Sequence, residues 1–292
     1  MIVLLGACWS VGCDDDDEVS STPLDGGFDS GAAIDASFGI DAQIDGSAPE
    51  ASVPTPGVSA TEKGYAKGVV AVSDPLATKA GADVLAKGGN AIDAASAIQF
   101  VLNVVEPQSS GIGGGGFMMV YVASEKKTYY LDAREKAPSA ATPDMFGTLD
   151  FANASTSGVS IGVPGTVAAI STALSRWGSL PLATTMEAAI ELAEDGFAVS
   201  PLLASDIVDT SDRGFVMSNL QPETAAIFHP GGVPLKAGDV LQQPDLAKTL
   251  KLIAANGRDA FYKGDVAAAI VEAQKRSATN GAAGAKLTGG AA

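Results

Sequence analysis

The stretch "AIDAASAIQFVLNVV", residues 91–105, is apolar on nearly every face of a helix. A helix without a polar side belongs in the middle of a fold or in a membrane. Gln99 and Asn103 lie within it, and it falls short of the roughly 20 residues a span needs, which argues against the membrane. The rest of the chain must therefore supply layers that cover this segment. Pro107 ends it, and Asn90 in front of it predicts an N-cap, with Asp93 three residues on to complement the exposed N–H groups. Upstream, "SDPLATKAGADVLAKGG" predicts a helix capped by Ser73 or Asp74, with Pro75 at its first position and Gly88-Gly89 as its stop. Val69–Val72 reads as a short strand.

Next comes "GIGGGG", residues 111–116. Glycine is the costliest residue to order, so such a run needs a physical reason. Gly111, Gly113 and Gly116 match the G-x-G-x-x-G dinucleotide fingerprint, and Asp132, 21 residues after Gly111, stands near where a ribose-binding acid belongs. That fingerprint needs a strand before it and a helix after it. Here a helix precedes, and two strands follow, "FMMVYVAS" and "TYYLDA", joined by Glu125-Lys126-Lys127. The dinucleotide reading fails on context, and without a following Lys-Ser/Thr a phosphate-cradling P-loop fails as well. The glycines read as a place where backbone passes close to another chain segment or to a substrate.

Beyond the hairpin, "SIGVPGTVAAISTALSRWGSLP" predicts a short strand, a Pro164-Gly165 turn and a helix ending at Gly178. "TTMEAAIELAEDG" opens with Thr184 and Glu187 at capping-box spacing and stops at Gly196. "QQPDLAKTLKLIAANG" and "GDVAAAIVEAQKR" predict two further helices, so helices outnumber strands.

Charge separates this body from what precedes it. The chain of 292 residues carries a formal charge of −16; residues 1–60 hold 11 acids and no Lys or Arg, which leaves only −5 for the rest. With no basic face to meet phosphates, a nucleic-acid partner is excluded. Residues 1–13, "MIVLLGACWSVGC", suit the apolar part of a secretory signal. Leu5-Gly6-Ala7-Cys8 resembles a bacterial lipobox, Ser10-Val11-Gly12-Cys13 is a second candidate, and a basic leading region is missing. Both cysteines of the chain fall here, so the body has no disulfide and no thiol nucleophile. Residues 14–60 are small, acidic and poor in bulky apolars, and they close on prolines. This composition reads as a disordered acidic tether. The carboxylates lack the spacing of a calcium loop.

Residues able to carry chemistry are few. The one histidine, His229 in "FHPGGVP", reads as a surface-turn residue without a catalytic role. Thr184-Thr185 suggests an autocleavage site, but a helix cap explains the pair. No His, Cys or carboxylate cluster has metal-ligand spacing, and no cofactor is implied. Taken alone, the residues show a fold and no complete active site.

The succession "DPLATKAGADVLAKGGNAIDAA", "VVEPQSSGIGGGGFMMVY", "DAREKAPSAAT", "GVPG" and "QPDLAKTLKLIAANGRDAFYKG" resembles the γ-glutamyltranspeptidase (glutathione hydrolase) family, from about Lys67 to Gln274. The resemblance implies an α/β (α+β) fold, the αββα sandwich of N-terminal nucleophile hydrolases, helix-rich and incomplete in this chain. Residues 65–276 would be a partial large-subunit domain and 277–292 a small-residue tail. It also implies a precursor that cuts itself into a large and a small subunit, with a threonine at the new N-terminus as nucleophile and its own α-amine as base. The donors would be glutathione and γ-glutamyl amides. Arg134 of "DAREKAP" matches the family's arginine that holds the donor α-carboxylate. Family members continue well beyond "GDVAAAIVEAQ", so the nucleophilic threonine and the oxyanion-hole groups are expected outside this chain, in a small-subunit partner. A truncated or frame-shifted gene is the expected explanation, a split gene the second. A cephalosporin-type acylase fragment and a non-catalytic surface lipoprotein are the alternatives. The expected location is periplasmic or at the cell surface, with a lipid anchor as the only link to membrane.

If Cys8 or Cys13 is lipidated, the exported protein fractionates with membranes until detergent releases it, and replacing both cysteines with Ser sends it to the soluble fraction. Mass spectrometry of the mature exported protein decides the matter: an unmodified Met1 overturns the reading.

Overall fold

Helix α2, Ala91–Val105, buries every residue except Ala91 and Gln99. Its neighbours follow from the need to cover that surface. Helix α1 (Pro75–Ala86) lies on one side, α4 (Thr166–Trp177) and α5 (Leu182–Asp195) on others. Strands β2 (Gly116–Val122) and β3 (Lys127–Ala133) form an antiparallel hairpin, with Met119 opposite Tyr130. Its inner residues Met118, Val120 and Leu131 enter the same core as Phe100, Val101 and Val104. Strand β1 (Ile2–Gly6), part of the apolar start, pairs antiparallel with the other edge of β2. The one-turn helix α3 (Pro107–Ser110) follows α2. Beyond α5 come strand β4 (Phe197–Ala198), helices α6 (Pro201–Asp212) and α7 (Pro222–Phe228), and strand β5 (Val240–Leu241), which pairs with β4. Helices α8 (Pro244–Asn256), α9 (Asp259–Tyr262) and α10 (Gly264–Asn280) complete the chain as seen. Helix α10 runs four residues into the segment read as a tail.

The computed structural model describes residues 2–6, 68–139, 141–147, 154, 158–212 and 222–280. Cys8, Cys13, the 14–60 segment and residues 281–292 lie outside the described residues. No helix among the described residues is long and apolar enough to cross a membrane.

Several sequence-based expectations meet their residues here. Asp74 caps α1 by accepting from the N–H groups of Leu76 and Ala77, with Pro75 at the first position. Asn90 and Asp93 form a full capping box on α2. Val69–Val72, in contrast, is not a strand. A β-branched run reads as a strand whether or not a partner strand is near. Here Val70 instead packs on α1, where a methyl group added to Gly81 would lie 3.2 Å from it. The capping box expected at Thr184 and Glu187 is also absent, because α5 starts earlier, after Pro181. Thr185 donates its hydroxyl to the Leu182 carbonyl at 2.9 Å, and Glu187 pairs on the surface with Lys87 at 3.5 Å. His229 is buried rather than exposed, and its Nδ1 has no hydrogen-bond partner. Gly231 and Gly232 take positive φ and fold the turn back, so Pro230–Gly232 face water while the imidazole points inward.

Asp93 does more than cap. Its carboxylate accepts from the N–H of Asn90 at 2.8 Å, of Ser179 at 2.9 Å and of Leu180 at 3.0 Å, and from the Ser179 hydroxyl. The Asn90 amide meanwhile donates to the Trp177 carbonyl at 2.8 Å. The start of α2 is thereby fastened to the link between α4 and α5. Burial alone would raise the Asp93 pKa; the four donors, led by the Ser179 hydroxyl, outweigh it and hold the group below the ordinary carboxylate value. A folded-state pKa below the unfolded one contributes stability above the unfolded value of 3.8 that disappears as pH falls through the folded one. Asp93→Asn removes the charge-assisted bonds and places an NH2 against N–H donors, at a cost of about 2–3 kcal/mol. Urea unfolding at neutral pH should show this loss. Between pH 5 and 3 the wild type should lose stability more steeply than the variant; parallel slopes would contradict the assignment.

Candidate functional site

Pro107 cannot continue α2, so the chain turns at Glu106 into a short rim. The Glu106 carbonyl accepts from the N–H groups of Ser109 at 3.1 Å and Ser110 at 2.8 Å, which closes that turn. The Ser110 carbonyl in turn receives the side-chain amides of Asn103 and, at 3.5 Å, Gln99. The two polar residues of the apolar helix therefore hold the rim from below. The Glu106 carboxyl is itself buried; desolvation pushes its pKa up, the Ser73 hydroxyl at 3.0 Å opposes this, and Asp74 and Asp206 add to the rise.

Under the rim lies a cavity of about 150 Å³, walled by the 109–116 segment, the end of β3 and the start of α4. The glycine run is needed here for close approach. A Cβ on Gly115 would stand 2.2 Å from the Ala133 carbonyl oxygen, and one on Gly165 would stand 1.9 Å from the same atom. That carbonyl is clamped between two bare backbones, from "GIGGGG" and from "GVPG". A Cβ on Gly162 would stand 2.7 Å from the Cβ of Glu135, and Val163 bridges to Lys136. Gly113 differs, since a Cβ there would meet nothing within 4 Å. The Gly114 carbonyl accepts from the N–H of Gly165 at 2.9 Å, the N–H of Thr166 at 3.1 Å and the Thr166 hydroxyl at 2.9 Å. This junction joins the glycine run to α4.

Arg134 leaves the end of β3 at the wall of this cavity, next to Glu135. Its backbone N–H donates to Asp132 at 3.0 Å, and its Nε lies 3.4 Å from a Glu135 carboxylate oxygen. Its side chain is 47% exposed. An ion pair this exposed is worth at most about 1 kcal/mol, so it does not commit the guanidinium against a better anion. A planar guanidinium beside a small cavity of mixed polar and apolar lining suits a carboxylate bound through two parallel N–H donors. Around it are the hydroxyl-bearing residues Ser109, Ser110 and Thr166, with no histidine among the lining residues. His229 and Thr184 are not part of this wall. Among the described residues, no three of His, Cys, Asp or Glu gather as metal ligands. From the sequence, Arg134 is a candidate binding residue and the glycine run a place of close approach, while Gln99, Asn103, Glu135 and Thr166 have no assigned part in the site. Two amides in an otherwise apolar helix were the one available signal, since such groups must find partners.

Comparison with known proteins gives this arrangement a context. Residues 77–286 match the family described as gamma-glutamyltranspeptidase. The glutathione hydrolase proenzyme of Bacillus subtilis is 51% identical over 207 residues, which cover 68% of this chain and 34% of that protein. The crystal structure of Helicobacter pylori gamma-glutamyltranspeptidase superposes with a TM-score of 0.69 at 38% identity, over 74% of this chain and 62% of that one. A cephalosporin acylase from Bacillus halodurans matches with a TM-score of 0.61 at 29% identity, over 76% of this chain and 46% of that one. The chain thus spans about a third of the length of the curated relatives it matches. The fold is the helix-rich part of the N-terminal nucleophile hydrolase architecture.

Replacing Gly115 or Gly165 with Ala should cost at least about 2 kcal/mol, because the added methyl meets a backbone oxygen that cannot rotate away. Gly113→Ala should stay within about 0.5 kcal/mol of wild type. Urea midpoints of the three variants provide the check; equal costs at positions 113 and 115 would refute the clamp.

Proposed function

The chain belongs to the gamma-glutamyltranspeptidase family, and we propose that it is the large-subunit part of a γ-glutamyl hydrolase or transferase acting on glutathione and γ-glutamyl amides. What carries the reading is the position of Arg134, half-exposed at the wall of a small cavity with only a weak, adjacent ion pair to displace. In this proposal Arg134 holds the donor's α-carboxylate through two charge-assisted hydrogen bonds and so fixes the γ-amide in place. The nucleophile is a threonine hydroxyl at the N-terminus of a small subunit encoded outside these 292 residues, activated by its own α-amine. It attacks the γ-carbonyl carbon and expels the amine, and the acyl-enzyme passes to water or to an amino-acid acceptor. The outer face of the hairpin, with Met119, Tyr121 and Tyr130 exposed, is where a second sheet would cover the first.

A second reading draws on the likeness to the cephalosporin acylase. It keeps the same nucleophile logic and exchanges the γ-glutamyl group for another acyl group. Donor preference separates the two.

Alone, the chain should not hydrolyse a γ-glutamyl amide above background. Joined to a small subunit of the family by fusion or co-expression, it should gain that activity. Arg134→Ala should then lower kcat/KM by at least about tenfold, since removing one partner of a desolvated charge pair costs roughly 2–5 kcal/mol. Arg134→Lys, which keeps the charge and loses the planar fork, should also weaken donor binding. Donors lacking the α-carboxylate should be indifferent to both substitutions. Turnover by the isolated chain refutes the external nucleophile, and equal losses with and without the donor carboxylate refute the anchor.

A further inference from the structure

Helix α4 begins at Thr166 after Gly165, a residue with no side chain to cap the exposed N–H groups. A tyrosine from a distant element fills that role. The Tyr262 hydroxyl, at the end of α9, accepts from the N–H of Ala168 at 3.1 Å and donates to the Pro164 carbonyl at 2.8 Å. One oxygen therefore spans the turn from Pro164 to Ala168. The same turn donates to the Gly114 carbonyl through Gly165 and Thr166 and places Gly165 against the Ala133 carbonyl, one residue before Arg134. Tyr262 is well held for this purpose. Phe261 beside it is buried in the core, its ring meets that of Tyr262 edge-on at 5.1 Å, and the Arg258 guanidinium lies 5.9 Å from the Tyr262 ring. Tyr262 does not line the cavity.

We propose that Tyr262 is a positioning residue of the cavity: its hydroxyl fixes the 164–168 turn, and through that turn the places of Gly114 and Arg134. Helix α9 is thereby coupled to a cavity that Tyr262 does not line. Any consequence for donor affinity rests on the carboxylate-anchor reading of Arg134; the brace itself does not.

Tyr262→Phe removes one oxygen and keeps the ring. It leaves the Ala168 N–H and the Pro164 carbonyl unpaired, enough to speed local opening about tenfold. In the full chain, amide hydrogen exchange at Gly165, Thr166 and Ala168 should accelerate by about that factor while the amides of α1 are unchanged. The Arg134 Nε resonance should shift. Thr166→Val, which removes the hydroxyl bond to Gly114, should give an effect on Gly165 exchange that is not additive with Tyr262→Phe, because both act on one turn. In the wild type, Gly165, Thr166 and Ala168 should show a common protection once their intrinsic exchange rates are divided out. Unchanged exchange at Gly165 and Thr166 in the variant, a uniform acceleration across the protein, or unrelated protection at the three amides in the wild type would each overturn the brace. With the small subunit supplied, Tyr262→Phe should raise KM for carboxylate-bearing donors by about three- to tenfold with kcat little changed. If exchange accelerates but Arg134→Ala leaves donor affinity intact, the anchor reading falls and the brace stands. If Arg134→Ala weakens donors but Tyr262→Phe changes neither exchange nor KM, the brace falls and the anchor stands.

Discussion

One carbonyl, that of Gly114, ties the halves of this chain together. It accepts two backbone N–H groups and one hydroxyl from Gly165–Thr166, 51 and 52 residues further along. A half-buried carbonyl in a glycine run would otherwise cost free energy, since its lone pairs have lost water. Satisfying it from the start of α4 fixes where that helix begins and how it meets the hairpin. The neighbouring Ala133 oxygen, clamped between Gly115 and Gly165, leaves no slack in the junction. The cavity wall is built from these close backbone approaches, and its shape depends on them more than on any side chain.

Helix α2 contributes on a different principle. Its apolar residues form the centre of the core, and that burial drives collapse without specifying direction. Direction comes from a few polar groups that find partners outside the helix, since a buried polar group left without one costs free energy. Asp93 fastens one end to Ser179 and Leu180. Asn103 and Gln99 hold the rim at Ser110, and the Val104 carbonyl receives the Gln243 side chain at 2.8 Å, which docks the start of α8. Four positions thus orient a helix that is otherwise uniform around its axis.

The charges at the cavity fit that economy. Arg134 and Glu135 are adjacent in sequence and cannot move far apart, yet their pair is exposed enough to contribute little stability. A site that must admit an anion is better served by a weak resident partner than by a strong one, because a strong pair would have to be broken first.

Much was legible from the sequence because it depends on local chemistry. Asp74, Pro75, Asn90 and Asp93 announce two helix starts, Pro107 an end, and Glu125-Lys126-Lys127 a hairpin. These signals act within a few residues, where chain connectivity guarantees that the partners meet. The strand read at Val69–Val72 failed because a strand needs a partner that only the fold supplies, and the cap read at Thr184 failed because the helix already starts after Pro181. Arg134 came to notice through a family motif, since an Arg-Glu-Lys run carries no mark of its surroundings. So the sequence determined the caps of α1 and α2, the main helices around them, the buried character of residues 91–105 and the failure of the nucleotide motifs. Only the tertiary structure decided which carbonyl the glycines had to clear, which way His229 points, and that Tyr262 reaches back 94 residues to Ala168. Those facts depend on where distant backbones come to rest against one another, and no short stretch of sequence encodes that distance.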